Sequence, residues 1–181
     1  MNKTILFQDR DETITKGWWN PINLKLNGVY MYCTDTTKSY YECRFNGYSM
    51  VTCFGWSIMY DEKTKSYREG EETVVELYEV LRDSRILTKD NPSLNINEIY
   101  AVNPHSIGNE IGLTPLVYTG DTFQPDANSD CGDYYIFKKQ PNGDYLFHDD
   151  GGDTYSQDEI ITEVYKIDTI NLVENNRNGK K

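Results

Sequence analysis

The chain is poor in histidine and in catalytic motifs. Only two histidines, His105 and His148, are available as imidazole bases, and no GxSxG, Walker, GxGxxG or HExxH pattern accompanies them. A dyad of Cys131 with a histidine is open on residue type but has no motif behind it. The segment Asp126 to Asp130 begins like a calcium loop. Cys131, however, stands where that loop needs glycine, and Phe137 where it needs a bidentate glutamate. His148, Asp149, Asp150 and Asp153 form a second acidic cluster, without the second histidine that a catalytic metal would want. The expectation is a chain with no catalytic residues, no metal and no cofactor.

Long apolar runs are also missing. Nothing approaches the roughly 18 residues of a membrane span, and MNKTILFQDRDE reaches charge after three apolar residues, so no signal peptide is expected. The four cysteines, Cys33, Cys43, Cys53 and Cys131, include no CxxC pair. In a cytosolic chain of this length they are expected to be reduced thiols packed in strands rather than a disulfide framework or a zinc site.

What the chain does hold is acid and tyrosine. Its 29 acidic residues outnumber 18 basic ones for a net charge of -11, and 15 tyrosines lift the aromatic share to 13%. Side chains that bury so much surface exclude a disordered acidic tail. The charge disfavours direct contact with nucleic acid or anionic membranes and favours a basic partner, although solubility alone accounts for acid excess in many domains. One domain over residues 1–175, with a frayed polar tail at 176–181, fits the length.

The pattern predicts an α+β fold: an antiparallel sheet, made of an N-terminal meander and a C-terminal hairpin, with one clear and one possible helix. Segments 22–33, 39–45 and 48–60 read as the meander, with Asn46-Gly47 as a two-residue hairpin turn and Gly55 as a bulge. Ser66 and Glu69 fit a capping box, after which Val74, Leu77, Tyr78 and Leu81 recur at helical spacing, predicting a helix over 66–85. Residues 95–102 read as a strand, and 103–133 as irregular chain with a short strand near Leu116–Tyr118. DYYIFKKQ and GDYLFH flank the turn Pro141-Asn142-Gly143 as a hairpin. Ser156 and Glu159 offer a second capping box before IITEVYKI, which reads equally well as helix or strand.

On the predicted helix, Glu72, Glu76, Glu79 and Asp83 fall within one arc opposite the apolar stripe, a row of carboxylates spread over roughly 16 Å. Glu72–Glu76 and Glu79–Asp83 are like-charge pairs four residues apart, relieved only by Arg82, so the row is poorly neutralised. An ordinary solvated face has the same pattern. Residues 121–163 add eleven acids against Lys138 and Lys139, interleaved with aromatics. Among them, Asp149, Asp150 and Asp153 form a second candidate contact set. Acid beside aromatic rings suits arginine and lysine, yet strands with rings inward and aspartates outward look the same.

The opening MNKTILFQDRDETITKGWW, the strong acidity, the Tyr- and Asn-rich strands and the bare carboxylate row together resemble the anti-CRISPR proteins that phages and mobile elements direct at Cas9. The resemblance implies a non-enzymatic inhibitor in the cytoplasm of a bacterial host cell. Its implied partner is a basic nucleic-acid-binding protein, in the first place a Cas9–guide RNA complex, whose target-DNA binding or cleavage it blocks with acidic surface. These inhibitors share no common motif, so no residue role follows from the resemblance itself. An immunity protein neutralising a basic toxin nuclease would rest on the same physics and is the alternative.

Overall fold

The computed structural model describes residues 22–87, 93–105, 113–129, 131, 136–148 and 160–172. The expected α+β class is corrected: strands account for 54% of the described residues and helical turns for 3%. The first six strands are β1 (Val29–Thr34), β2 (Tyr41–Phe45), β3 (Met50–Thr52), β4 (Ser57–Asp61), β5 (Ser66–Glu69) and β6 (Glu72–Val80). They pair in sequence order, every pair antiparallel, and β6 returns to pair with β1, which closes a six-stranded up-and-down barrel. Closure gives each of these strands a neighbour on both sides. Tyr30, Tyr32, Phe45, Met50, Ile58, Tyr67 and Leu77 fill its interior.

A 3-10 turn at Arg82–Ser84 leads to the remaining strands: β7 (Ile86–Leu87), β8 (Ile99–His105), β9 (Thr114–Tyr118), β10 (Thr122–Gln124), β11 (Ile136–Lys139), β12 (Tyr145–His148) and β13 (Ile160–Thr169). From β8 to β13 they again pair in sequence order, and β13 pairs back onto β8, while the β12–β13 step rests on the single pair Leu146↔Ile160. Tyr100, Val102, Leu116, Phe123, Phe137, Tyr145 and Val164 pack together as the core of this second ring. IITEVYKI is thereby settled as strand. The two rings share β13: its first part pairs with β8, and Ile167–Thr169 pair with Val80, Glu79 and Tyr78 of β6.

The predicted 66–85 helix is the largest correction. Ser66–Glu69 is β5, Gly70-Glu71 is a two-residue hairpin turn, and Glu72–Val80 is β6. Gly70 has φ of +60°, a conformation that glycine reaches without a Cβ penalty. The helical spacing of the apolar residues has a different cause. Cys33 pairs with Glu76 and Thr34 with Val74, so Val75 is an extra residue in β6. Strand side chains alternate between faces, and one extra residue reverses the alternation. Val74 and Leu77 therefore both face the barrel core, while Tyr78 and Val80 face the layer between the rings. A bulged strand buried on both faces imitates the three-and-four spacing of a helix.

The meander is present with different joints. The predicted single strand 48–60 is two strands, because Cys53–Trp56 turns the chain with Gly55 at φ +82°. Asn46 and Gly47 belong to a four-residue turn rather than a two-residue one, and the Asn46 side chain accepts hydrogen bonds from the N–H groups of Tyr48 and Ser49, both 2.9 Å. The C-terminal hairpin stands as expected around Pro141–Gly143.

All six residues of β1 are buried. Tyr30 and Tyr32 point into the barrel, whereas Val29 and Met31 meet Tyr78, Val80 and Ala101 in the inter-ring layer. The expectation of four reduced thiols is also corrected: Cys33 of β1 and Cys131, between β10 and β11, form a disulfide across a sequence separation of 98. Cys43 is a free buried thiol and Cys53 a free exposed one. Among the described residues, no helix is long and apolar enough to cross a membrane. The tail 176–181 lies outside the described residues. The disulfide is expected to hold the rings together: Cys33→Ser should cost about 2–4 kcal/mol. Denaturant melts with and without reductant check this, and the non-reduced unfolded protein should titrate as two thiols.

Candidate functional site

The predicted carboxylate row does not exist as a row. Glu72 opens β6 and Glu79 lies seven residues along the same strand, so the two stand roughly 23 Å apart along the barrel. Glu72 Oε2 accepts a hydrogen bond from the Thr34 hydroxyl at 2.5 Å. Glu79 is buried at the opposite end, where Lys25 Nζ reaches its Oε1 at 2.5 Å. Asp83 is exposed on the 3-10 turn. Asp149, Asp150 and Asp153 lie outside the described residues.

Glu76 faces the second ring and holds it. Its Oε2 accepts from the hydroxyls of Tyr40 (2.5 Å) and Tyr78 (2.9 Å), and its Oε1 from Ser129 (2.6 Å). Ser129 in turn accepts from the N–H of Cys131 at 3.0 Å, so this carboxylate supports the loop that carries the disulfide. Burial, then the bond to Glu76, raises the Tyr40 pKa and keeps its hydroxyl a donor. This is structural work for a half-buried carboxylate.

A different constellation is open to solvent. At one end of the closed barrel lie the β1–β2 loop, the β3–β4 turn and the β5–β6 turn. Between them is a groove of about 560 Å³ lined by Thr37, Tyr41, Phe54, Trp56, Ser57, Glu69, Gly70 and Glu72. Phe54 and Trp56 are 56% and 60% exposed, unusual for rings of that size. They are not loose. Tyr41 meets Phe54 edge-on with centroids 5.3 Å apart, and Phe54 meets Trp56 at the same separation. Tyr32, fully buried below, meets Tyr41 at 6.0 Å, so a chain of rings runs from the core to the rim.

The acid of the groove is Glu69 and Glu72, directly opposed across the β5–β6 hairpin. Like charges facing each other on neighbouring strands are destabilising. Glu69 Oε2 accepts from the Tyr32 hydroxyl at 3.0 Å, while its Oε1 is buried without a hydrogen-bond partner. Burial raises the Glu69 pKa above the ordinary glutamate value; the Tyr32 bond pulls it down, and the charge of Glu72 adds to the rise. Among the described residues, neither carboxylate has a lysine or arginine partner. Arg68 beside them donates to the main-chain carbonyl of Glu71.

Among the described residues predicted as contacts, only Glu72 lines this groove. Tyr41, Phe54, Trp56 and Glu69 went unassigned, although Gly55 between two large rings was a signal for an exposed turn. Cys131 is bonded to Cys33, and His148 Nε2 lies 3.0 Å from Lys138 Nζ in the second ring. Among the described residues, no group of three or more His, Cys, Asp or Glu is placed to hold a metal. Asp126 closes a local turn by accepting from the Asn128 N–H at 2.9 Å. No protein-family model, curated protein or solved structure matches the chain.

Two outcomes test this division of the acids. Glu76→Ala should destabilise the fold by about 2–4 kcal/mol through lost charged hydrogen bonds, while Asp83→Ala should stay within about 0.5 kcal/mol, both read from urea melts. For Glu69 the folded-state pKa is raised, so its contribution is most favourable at low pH. That contribution is lost as pH rises from the unfolded glutamate value through the folded one. Glu69→Gln keeps an acceptor for Tyr32 and removes the buried charge. Its melting temperature should exceed the parent's at pH 7, with the gap closing toward about pH 4. A gap that is constant with pH would contradict the raised value.

Proposed function

We propose that the chain is a non-enzymatic inhibitor that binds a basic nucleic-acid-binding protein and keeps target DNA from it. A Cas9-type effector carrying its guide RNA is the partner to examine first. The observation that carries the reading is the barrel mouth, where exposed rings and two unneutralised carboxylates share one groove on a chain of charge -11. Aromatic faces and carboxylates are the two surfaces that attract guanidinium and ammonium groups. Opposed acids without a resident cation are a local cost to the fold, and a binding role gives that cost a purpose.

A Cas9-type effector offers the matching chemistry. Its heteroduplex channel is positively charged and arginines read the PAM, so a compact acidic body seated there competes with the phosphate backbone. The steering comes from the whole charge distribution, which speeds encounter at low salt. The mouth supplies the local contacts. The helical carboxylate row has no part in the reading, and of its members Glu72 alone remains as a contact residue.

The experiment is capture and DNA cleavage with guide-loaded effector at low and high salt, with effector lacking guide as the control. Stoichiometric capture with loss of cleavage, weakened by salt, is expected. The double variant Glu69→Lys, Glu72→Lys should lose capture at least tenfold while keeping the parent's circular dichroism. Absence of capture at either salt would overturn the assignment to this effector.

A further inference from the structure

Three carboxylates of the first barrel have an internal cation. Lys65 reaches Glu62 at 2.6 Å, Lys25 reaches Glu79 at 2.5 Å, and Arg44 comes within 3.7 Å of Glu42. Glu76 is satisfied by three hydroxyls instead. Glu69 and Glu72 differ. They face each other across a two-residue turn with no ion-pair partner among the described residues, and one oxygen of Glu69 is buried and unbonded. The rings of Tyr41, Phe54 and Trp56 stand over the same groove in mutual contact.

We propose that this mouth takes the guanidinium of a single arginine side chain from the partner, laid against the rim aromatics and hydrogen-bonded to Glu69 and Glu72. The inference rests on the binding-protein reading above and names the group recognised. Three alternatives for the occupant fit worse. An anion is repelled by two carboxylates. A neutral apolar group would cover the rings but bury the acids further without a donor, which is costly for charged groups. A lysine ammonium satisfies the charge, but it is a compact, strongly hydrated point that stacks on no ring. A guanidinium is planar, weakly hydrated and forked, so it can lie on an aromatic face and still donate to carboxylates at its edge.

The architecture suits such a guest. Phe54 and Trp56 are carried on a tight turn with Gly55 at its centre, so the rings project without a strand on either side. Glu69 is anchored from below by Tyr32, a fully buried side chain, so the carboxylate is placed before any guest arrives. Preorganisation of this kind lowers the entropy that binding would otherwise consume. Lys38, on the exposed β1–β2 loop, and Arg68 are the other cations near the mouth, and Arg68 is occupied by the Glu71 carbonyl.

The test uses the full chain and three capped tripeptides, Ala-Arg-Ala, Ala-Lys-Ala and Ala-citrulline-Ala, followed by NMR. The Trp56 indole resonance is assigned from the Trp56→Phe variant. Ala-Arg-Ala should shift the Trp56 and Phe54 resonances with a Kd of about 1–10 mM, the lysine peptide should bind at least threefold more weakly, and the citrulline peptide should leave them unmoved. Trp56→Ala, an exposed turn position, and the double variant Glu69→Gln, Glu72→Gln should each weaken arginine binding about tenfold while the remaining amide resonances keep their positions. Equal binding of citrulline would reduce the site to apolar contact, equal binding of lysine would reduce it to charge alone, and either overturns the inference. So does an arginine peptide that moves resonances elsewhere or none at all. Effector capture without arginine binding sinks this inference and spares the inhibitor reading. Arginine binding without effector capture does the reverse.

Discussion

Val75 is the extra residue on which the arrangement of β6 turns. Before it, Glu72 and Val74 face the inside of the first barrel; after it, Leu77 and Glu79 do so. Without the bulge, the two-residue alternation would send Leu77 and Glu79 outward and bring Glu76 and Tyr78 into the barrel. The same change of face puts Tyr78 and Val80 on the layer that meets Ala101, Tyr165 and Ile167 of the second ring. It also leaves the edge of β6 beyond its short pairing with β5 free for β13. The inter-ring layer and the faces taken by Glu76 and Glu79 follow from one inserted residue.

Much of the strand content was legible from local signals, and most of the errors came from non-local ones. Pro141–Gly143 and Asn46-Gly47 mark real turns because their backbone preferences act over a few residues. The hairpin at Gly70 was visible as a glycine in a poor place for a helix, yet the capping-box spacing of Ser66 and Glu69 and the stripe of Val74, Leu77, Tyr78 and Leu81 outweighed it. That stripe is the sum of two buried faces and a bulge, and no window of sequence separates the three. Phe54 and Trp56 fit the alternation of a continuous strand, so their exposure could be read only once Gly55 was seen to turn the chain. The pairing of Cys33 with Cys131 spans 98 positions and depends on the second ring docking beside β1. Disulfides persist in oxidising surroundings and are uncommon in a reducing cytosol, so this pairing sits in tension with the expected cytoplasmic setting.

The two rings repeat one wiring without an evident sequence repeat. Each is a meander whose last strand pairs with its first, and each stacks tyrosines where aliphatic residues are commoner: Tyr30, Tyr32, Tyr60 and Tyr67 in one, Tyr100, Tyr118 and Tyr145 in the other. A tyrosine whose ring is buried needs a partner for its hydroxyl, and glutamates on or beside the strands supply it. Tyr32 bonds Glu69, Tyr40 and Tyr78 bond Glu76, Tyr100 bonds Glu98 and Tyr165 bonds Glu163. Part of the acid excess is thus the counterpart of the tyrosine excess, and both are properties of the fold before they are properties of any interface.

That division changes what the net charge says about function. A count of carboxylates treats Glu76, bonded by three hydroxyls, and Glu79, held by Lys25, as equal to Glu72 at the mouth. The long-range field does treat them so, since a charge inside the barrel still contributes to the potential outside. Specific contact does not, because only an acid that is reachable and unneutralised can exchange its present neighbours for those of a partner at a gain. By that criterion the contact surface contracts from a row of four residues to a groove in which Glu69 and Glu72 adjoin Tyr41, Phe54 and Trp56. In the proposed binding role the aromatic rim carries as much of the recognition as the charge does. A surface of charge alone mimics phosphate and accepts any basic patch, whereas rings beside carboxylates select among cations by shape.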